Sequence, residues 1–230
     1  MSRRRRAWPP RLPVPMPALL RVAALAVSAL ACFGGPSPVE LARLETTLGL
    51  RSGVAVADVG AGDGDYTLWA ARIVRPGGEV YSTEIDAERL KRLEARVREA
   101  GLDDVTFVEA GITDTGLPEK CCDAIFLRDV YHHLTDPAAI DASLLRALRP
   151  GGLLAVIDFP PSLWLSPWTP KGIPKNRGGH GVAPEIVVQE LTAGGFELVG
   201  VSHDWPSGWL IAHYCALFRR PSAGGPSSPP

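Results

Sequence analysis

The sequence predicts a doubly wound α/β fold, an open seven-stranded sheet that is mostly parallel and ends in an antiparallel C-terminal hairpin. Three observations predict it. Apolar runs of strand length alternate with amphipathic runs of helix length from Val39 to Phe218, the one-dimensional pattern of a parallel sheet covered by helices on both faces. The first strand-like run, VAVADV from Val54 to Val59, leads directly into alternating glycines at Gly60, Gly62 and Gly64, so the chain turns sharply as it leaves the sheet. The last two apolar runs are separated only by the turn Trp205-Pro206-Ser207-Gly208, which calls for antiparallel pairing at one edge.

A chain of 230 residues, 46% hydrophobic and 21% charged, has room for one globular domain and appendages. Its charge is uneven. Residues 1–39 hold six arginines and no acid; taking six from 24 leaves 18 basic against 25 acidic residues, a net −7 for the rest. That body has no basic excess to draw it to nucleic acid. Residues 1–35 read as a signal peptide or membrane-anchor segment. Arg3–Arg6 precede a Pro-rich spacer, an apolar run from Ala18 to Ala31, and the small-x-small pattern Ala29-Leu30-Ala31. The run is short for a membrane span and is interrupted by Arg21. Export or attachment to a membrane is therefore expected, with a cytoplasmic protein as the alternative. Residues 36–220 form the expected domain, and 221–230, PSAGGPSSPP, a disordered tail.

Within the domain, Val39–Leu48 is expected as a short amphipathic helix. After the first strand and the glycine turn, Asp65 is placed to cap a second helix. Glu79–Glu84 follows a Pro-Gly-Gly turn as the second strand. Ala87–Ala100 is a helix with Leu90, Leu93 and Val97 on one face, stopped by Gly101. Val105–Glu109 and Asp123–Leu127 are the third and fourth strands, Pro137–Leu148 a helix, and Leu153–Asp158 a fifth, fully apolar strand after the turn Arg149–Gly152. Phe159–Ala183 is a long loop carrying Trp164, Trp168, Lys171, Lys175, Asn176, Arg177 and His180. Such a segment in a compact domain is commonly a lid or binding loop; its aromatics suit a flat or apolar ligand and its cations an acidic one. Pro184–Ala193 is the last helix, before strands Glu197–Ser202 and Leu210–Phe218.

Four segments in order, VADVGAGDG, VYSTEID, DAIFLRDVYHHLTDP and LRALRPGGLLAVIDF, resemble class I S-adenosylmethionine-dependent methyltransferases of the small-molecule type, over about Leu41 to Arg219. The resemblance implies a Rossmann-like sheet, S-adenosyl-L-methionine as cofactor and a small-molecule methyl acceptor. It places Asp58 and the Gly60-Ala61-Gly62 backbone near the cofactor's amino-acid end, Glu84 with Ile85 beside the ribose, and Gly111 and Ile112 by the adenine. Many members carry an adenine-binding acid where Gly111 stands; Glu109 or Asp114 could substitute. The residues read the same way. Glu84 lies 20 residues after Gly64, where an acid can take both ribose hydroxyls. An acid at a strand's end is also expected to pack against few neighbours. Gly-Ala-Gly-Asp-Gly lacks the spacing of a dinucleotide fingerprint, and the carboxylate of Asp58 suits an ammonium and a sulfonium better than a pyrophosphate.

Arg128, Asp129, Tyr131, His132 and His133 sit where the fourth strand opens into the ligand crevice of such sheets. Arg128 is expected at the cofactor, and His132 or His133 as a general base near neutral pH. On extended backbone the two histidines would point apart, so at most one would act. The histidines show no metal-ligand spacing, and no metal is expected. Cys121-Cys122 lacks the Cys-x-x-Cys spacing of zinc or redox sites. A nicotinamide-dependent oxidoreductase and a non-catalytic cofactor-binding module are the alternatives to a methyltransferase.

Overall fold

A computed structural model of the chain describes residues 35–162, 165, 167, 169, 171–207 and 211–222. The leader at 1–34, nearly all of the C-terminal tail, and Trp164 and Trp168 lie outside the described residues. No helix among the described residues is long and apolar enough to cross a membrane.

The elements run α1 (Pro38–Leu48), β1 (Ala55–Val59), α2 (Asp65–Val74), β2 (Glu79–Glu84), α3 (Ala87–Glu99), β3 (Val105–Glu109), β4 (Cys122–Arg128), a 3-10 turn (Tyr131–His133), α4 (Pro137–Ala147), β5 (Leu148–Asp158), a second 3-10 turn (Lys175–Arg177), α5 (Pro184–Ala193), β6 (Glu197–Trp205) and β7 (His213–Arg219). The strands form one sheet in the order β3-β2-β1-β4-β5-β7-β6. The pairs from β3 to β5 are parallel, and β7 runs antiparallel between β5 and β6. This is the expected doubly wound architecture. The strand order reverses between β1 and β4, and at such a switch point the loops leaving the two strands part and open a crevice.

Alternation along the strands builds a core on each face. Ala57, Val59, Ile125, Leu127, Leu154 and Val156 meet α4 and α5, whereas Val56, Ala124, Phe126, Ala155 and Ile157 meet the layer formed by α1, α2 and α3. The central strands are therefore apolar on both sides, as a sheet covered twice must be.

Three local expectations are corrected. Asp65 does not cap α2; Gly64 takes the cap position with φ 85°, and Asp65 begins the helix and pairs with Arg96 at 2.9 Å. A Cβ at Gly64 would stand 1.9 Å from Leu93 Cδ1, so packing of α3 fixes a glycine there. The strand β5 begins at Leu148, because Leu148 already pairs with Cys122; Arg149–Gly152 bulges at the register shift before Ala124, with Gly151 at φ 82°. In the hairpin, β6 begins at Glu197 as expected but runs on to Trp205, and β7 runs from His213 to Arg219.

Helix α1 is tied to the sheet by a buried charge. Its N-cap Ser37 accepts the Glu40 N–H at 3.1 Å. Glu40, 1% exposed, accepts from Arg128 Nε at 3.2 Å and Trp205 Nε1 at 3.3 Å. Replacing Glu40 by Ala leaves Trp205 unpaired and Arg128 with Asp129 as its remaining ionic partner. Breaking a buried pair from one side costs about 3–5 kcal/mol, and the partner Arg128 keeps places the expected loss near about 3 kcal/mol. Urea unfolding of Glu40→Ala measures it, and a loss below about 1 kcal/mol would show that α1 is not held by this charge.

Candidate active site

The crevice is walled by the exits of β1, β2, β3 and β4. On the β1 exit, the N–H groups of Gly60 and Ala61 both donate to Thr83 O at 2.9 Å, pinning the glycine loop to the end of β2. The loop glycines differ in what they serve. A Cβ on Gly60 would lie 2.5 Å from Val130 Cγ2, whereas one on Gly62, at φ 55°, would meet nothing within 4 Å. Gly62 therefore presents bare backbone to open space, the arrangement that lets a ligand approach closely.

Glu84 is 7% exposed. Its Oε2 accepts from Gly62 N at 3.0 Å, and its Oε1 from Ile85 N at 2.9 Å and Asp86 N at 3.1 Å. The expectation of an acid with few neighbours is corrected: this carboxylate satisfies the backbone of two loops. A carboxylate accepts about four hydrogen bonds, so the spare capacity is on Oε2, which accepts one, whereas Oε1 accepts two.

These groups line a cavity of about 410 Å³ together with Ile85, Ala110, Gly111, Ile112, Asp129, Val130, His133, Leu134 and Ile140. Of the residues singled out in the sequence, Gly60, Gly62, Glu84, Ile85, Gly111, Ile112 and His133 face it. Ile85 and Ile112 are 55% and 65% exposed, large aliphatic groups left uncovered at a crevice and suited to the faces of a planar ring. Asp58, Ala61, Arg128 and His132 do not line it.

For three of these four the physical reason is visible. Asp58 is buried and accepts from Thr67 Oγ1 at 2.6 Å, inside the sheet's α2 face. Arg128 turns away to Glu40 and Asp129 and lies over the Tyr66 ring at 5.8 Å. His132 sits behind His133. The carboxylate that does face the cavity beside the glycine loop is Asp129, at φ 58°, a backbone region that Asp tolerates better than most residues. Burial raises its pKa, but the hydrogen bond from His213 at 2.8 Å and the charge of Arg128 outweigh that and hold it below the ordinary value. Asp129 is thus an anion. The sequence places Asp129 beside Arg128 at this opening without a cofactor role for it, and the turn after β4 decides which of the two side chains faces inward. Neither proposed substitute for an adenine-binding acid lines the cavity: Asp114 is engaged by Gly116 N, Ser143 and Arg146, and Glu109 ends β3 facing outward.

Across the cavity stand the histidines. The backbone there is a 3-10 turn, not extended, and it brings the His132 and His133 rings together at 4.0 Å between centroids. Asp158, at the buried end of β5, accepts from the backbone N–H of His132 at 3.1 Å and lies 2.8 Å from its Nδ1. His180, from the long loop, completes the group with its ring 4.9 Å from His132 and 5.8 Å from His133. Burial and the neighbouring imidazoles pull the His133 pKa down to about 4, so the ring that lines the cavity is neutral near pH 7. The loop's Arg177 is no ligand for an acidic substrate: it is 1% exposed, bonded to Glu190 at 2.9 Å and stacked on Tyr131. Cys121, Cys122 and Cys215 are free and buried.

An open parallel sheet with a glycine loop at its switch point, an acid ending β2 and paired aliphatic side chains nearby defines a nucleoside-binding α/β domain. Residues 57–156 match a family model described as a methyltransferase domain. The chain is 35% identical over 112 residues to the ubiquinone/menaquinone biosynthesis C-methyltransferase UbiE of Pseudomonas paraeruginosa, covering 48% of this chain and 44% of that one. It spans under half the length of that relative. Among solved structures it is similar to a SAM-dependent methyltransferase from Aquifex aeolicus, with TM-score 0.66, 24% identity and coverage of 84% and 97% of the two chains. It is also similar to phosphoethanolamine N-methyltransferase 2 of Haemonchus contortus in complex with S-adenosyl-L-methionine, with TM-score 0.64, 16% identity and coverage of 80% and 52%. Residues 57–156 thus carry the match to a methyltransferase domain, and the fold around them is the one seen in solved S-adenosylmethionine-dependent methyltransferases.

The buried acid of β1 gives a test of the site's frame. Burial pushes the Asp58 carboxyl up from 3.8 to about 7, against the lowering effect of the Thr67 hydroxyl. An acid whose folded pKa is raised stabilises the fold below its unfolded pKa, and that contribution is lost as pH rises to the folded value. Asp58→Asn keeps an oxygen acceptor for Thr67 and cannot ionise. The stability of wild type relative to Asp58→Asn is therefore expected to fall between pH 4 and pH 7, by at most about 1.4 kcal/mol per pH unit, and then to level off. Urea titrations across that range check it; a pH-independent difference would mean that the carboxyl is not raised.

Proposed function

We infer that the chain transfers a methyl group from S-adenosyl-L-methionine to a small molecule. The observation that carries this reading is the cavity itself, with Glu84 on one wall and the His133 ring on the other. The residues present fit the cofactor: a carboxylate with spare acceptor capacity, an anion at Asp129 beside the glycine loop, and two uncovered aliphatic side chains. When bound, S-adenosyl-L-methionine supplies an electrophilic methyl group on a sulfonium.

The chain's own residues do the rest. Glu84 would hold the ribose hydroxyls and Asp129 the ammonium, while Ile85 and Ile112 cover the adenine. Val130, Leu134 and Ile140 line the cavity with apolar surface and keep water from competing as nucleophile. His133 meets the acceptor and orients its nucleophilic atom. Alignment of that atom is the main requirement of an in-line displacement. The name of the Pseudomonas relative makes quinone precursors one acceptor class to test, beside hydroxyl and thiol acceptors.

The experiment is calorimetric titration with S-adenosyl-L-methionine, followed by a screen of acceptors for release of S-adenosylhomocysteine. Absence of cofactor binding would sink the reading, and binding without release across the panel would leave a binding module. Glu84→Ala removes charge-assisted bonds worth about 1.5–3 kcal/mol each. With water partly replacing them, the dissociation constant is expected to rise about 30- to 150-fold. Because three backbone N–H groups lose their acceptor, ligand-free stability should also fall, by about 1–3 kcal/mol. Unchanged affinity in Glu84→Ala would remove that residue from the site. His133→Gln should lower turnover by roughly 10²-fold with cofactor affinity nearly intact; an unchanged rate, read once an acceptor is known, would place His133 outside the chemistry.

A further inference from the structure

We propose that His132, His133 and His180 form a binding site for a divalent transition metal of the zinc class, with one coordination position open to the cavity. Each of the three residues offers a ring nitrogen, and those nitrogens all lie within 4.8 Å of one another. Tetrahedral coordination at Zn–N distances of about 2.0–2.1 Å separates ligand nitrogens by about 3.3 Å, so modest rotations of the side chains close the group around an ion.

A second observation points to a ligand independently of the clustering. His132 is 2% exposed, and its Nε2 is buried with no hydrogen-bond partner among the described residues. Its other nitrogen, Nδ1, lies 2.8 Å from Asp158 Oδ1. A carboxylate at that distance holds the proton on Nδ1 and leaves the Nε2 lone pair bare. A buried lone pair without a partner is costly. The Asp158–His132 pair is also the arrangement by which carboxylates orient metal-bound imidazoles and raise their basicity. Asp158 is itself fixed, accepting the N–H of Phe159 at 2.8 Å and that of His132 at 3.1 Å.

The surroundings suit an ion with a preference for nitrogen. The Phe159 ring stacks on His180 with 11° between planes and lies 4.8 Å from His132, giving an apolar flank. Three imidazoles favour zinc, copper, cobalt or nickel over magnesium or calcium, which prefer oxygen. Three protein ligands leave the fourth position free, the pattern of zinc sites that bind a further ligand. His133 also lines the cavity, so the group borders it on that side. Resting on the methyl-transfer reading, the group taken there would be an oxygen or sulfur donor of the acceptor, oriented in the metal-loaded protein by the ion that His133 holds and not by the His133 ring directly.

The test uses the full chain, stripped with a chelator and titrated with Co2+ in the absence of cofactor and acceptor. The expected result is one Co2+ per chain, with the visible absorption of a nitrogen-ligated ion of low coordination number, displaced by Zn2+. His180→Gln is expected to weaken Co2+ binding at least tenfold. Asp158→Asn, a positioning variant, should weaken it roughly 10- to 100-fold. If Asp158→Asn fails to fold, His180→Gln, on a loop, decides alone. Absence of stoichiometric binding, or binding undiminished in His180→Gln, overturns the proposal. Calorimetry with S-adenosyl-L-methionine on the same protein separates the two readings. Metal binding without cofactor binding defeats methyl transfer and keeps the metal site, and the reverse defeats the metal site alone.

Discussion

One carboxylate accepts hydrogen bonds from the backbone of two loops, and the cavity takes its shape from that convergence. Glu84 ends β2 and draws in Gly62 from the glycine loop and Ile85 and Asp86 from the entry to α3. The N–H groups it satisfies would otherwise be orphans beside a partly buried crevice, so the loops are held by the same anion that the ligand would use. Charge-assisted bonds of this kind are stronger than neutral ones. Thr83 adds a second clamp by accepting from Gly60 and Ala61. The cofactor wall is therefore ordered before any ligand arrives, and binding is spared the cost of ordering it.

Where the chain carries sharp punctuation, sequence and structure coincide. The strands β2 and β3 and the helix α5 have the bounds read from the sequence, because proline, glycine and a change of period mark both ends. At Arg149–Gly152 the glycines mark a bulge inside β5 and not its start: Leu148 before them already pairs with Cys122, and Gly151 takes φ 82° where the register shifts. Asp58 and Asp129 show a different limit. Both stand at strand exits, but one points between sheet and helix toward Thr67 and the other into the cavity. Strand alternation assigns a side chain to a face only while the strand lasts, and Asp129 lies one residue past β4 with a left-handed backbone.

The acceptor wall was harder to read because it is assembled from segments distant in sequence. His132 and His133 are adjacent, Asp158 ends another strand, and His180 comes from the loop beyond it. No ligand spacing survives in the linear order. The same loop illustrates how charge alone misleads: Arg177 is consumed by Glu190 and the Tyr131 ring, where it fastens the loop to α5. A cation in a loop reads as solvent-facing or substrate-facing, but the buried carboxylates around it decide otherwise.

The two walls also differ in what they share with relatives. The family match covers residues 57–156, from within β1 to within β5, and so includes the glycine loop, Glu84, Asp129 and the histidine pair. It ends before Asp158, which fixes His132, and before the loop that supplies His180. Loops at the ends of a rigid sheet can change their chemistry without disturbing the strands that position the cofactor. The matched part thus includes the glycine loop and Glu84 on one wall and His133, with His132 buried behind it, on the other. The surroundings that tune those imidazoles are supplied by the chain after β5. On the methyl-transfer reading, acceptor choice would depend on the residues from the end of β5 onward that meet the histidines, Asp158, Phe159 and His180, as well as on the cofactor wall.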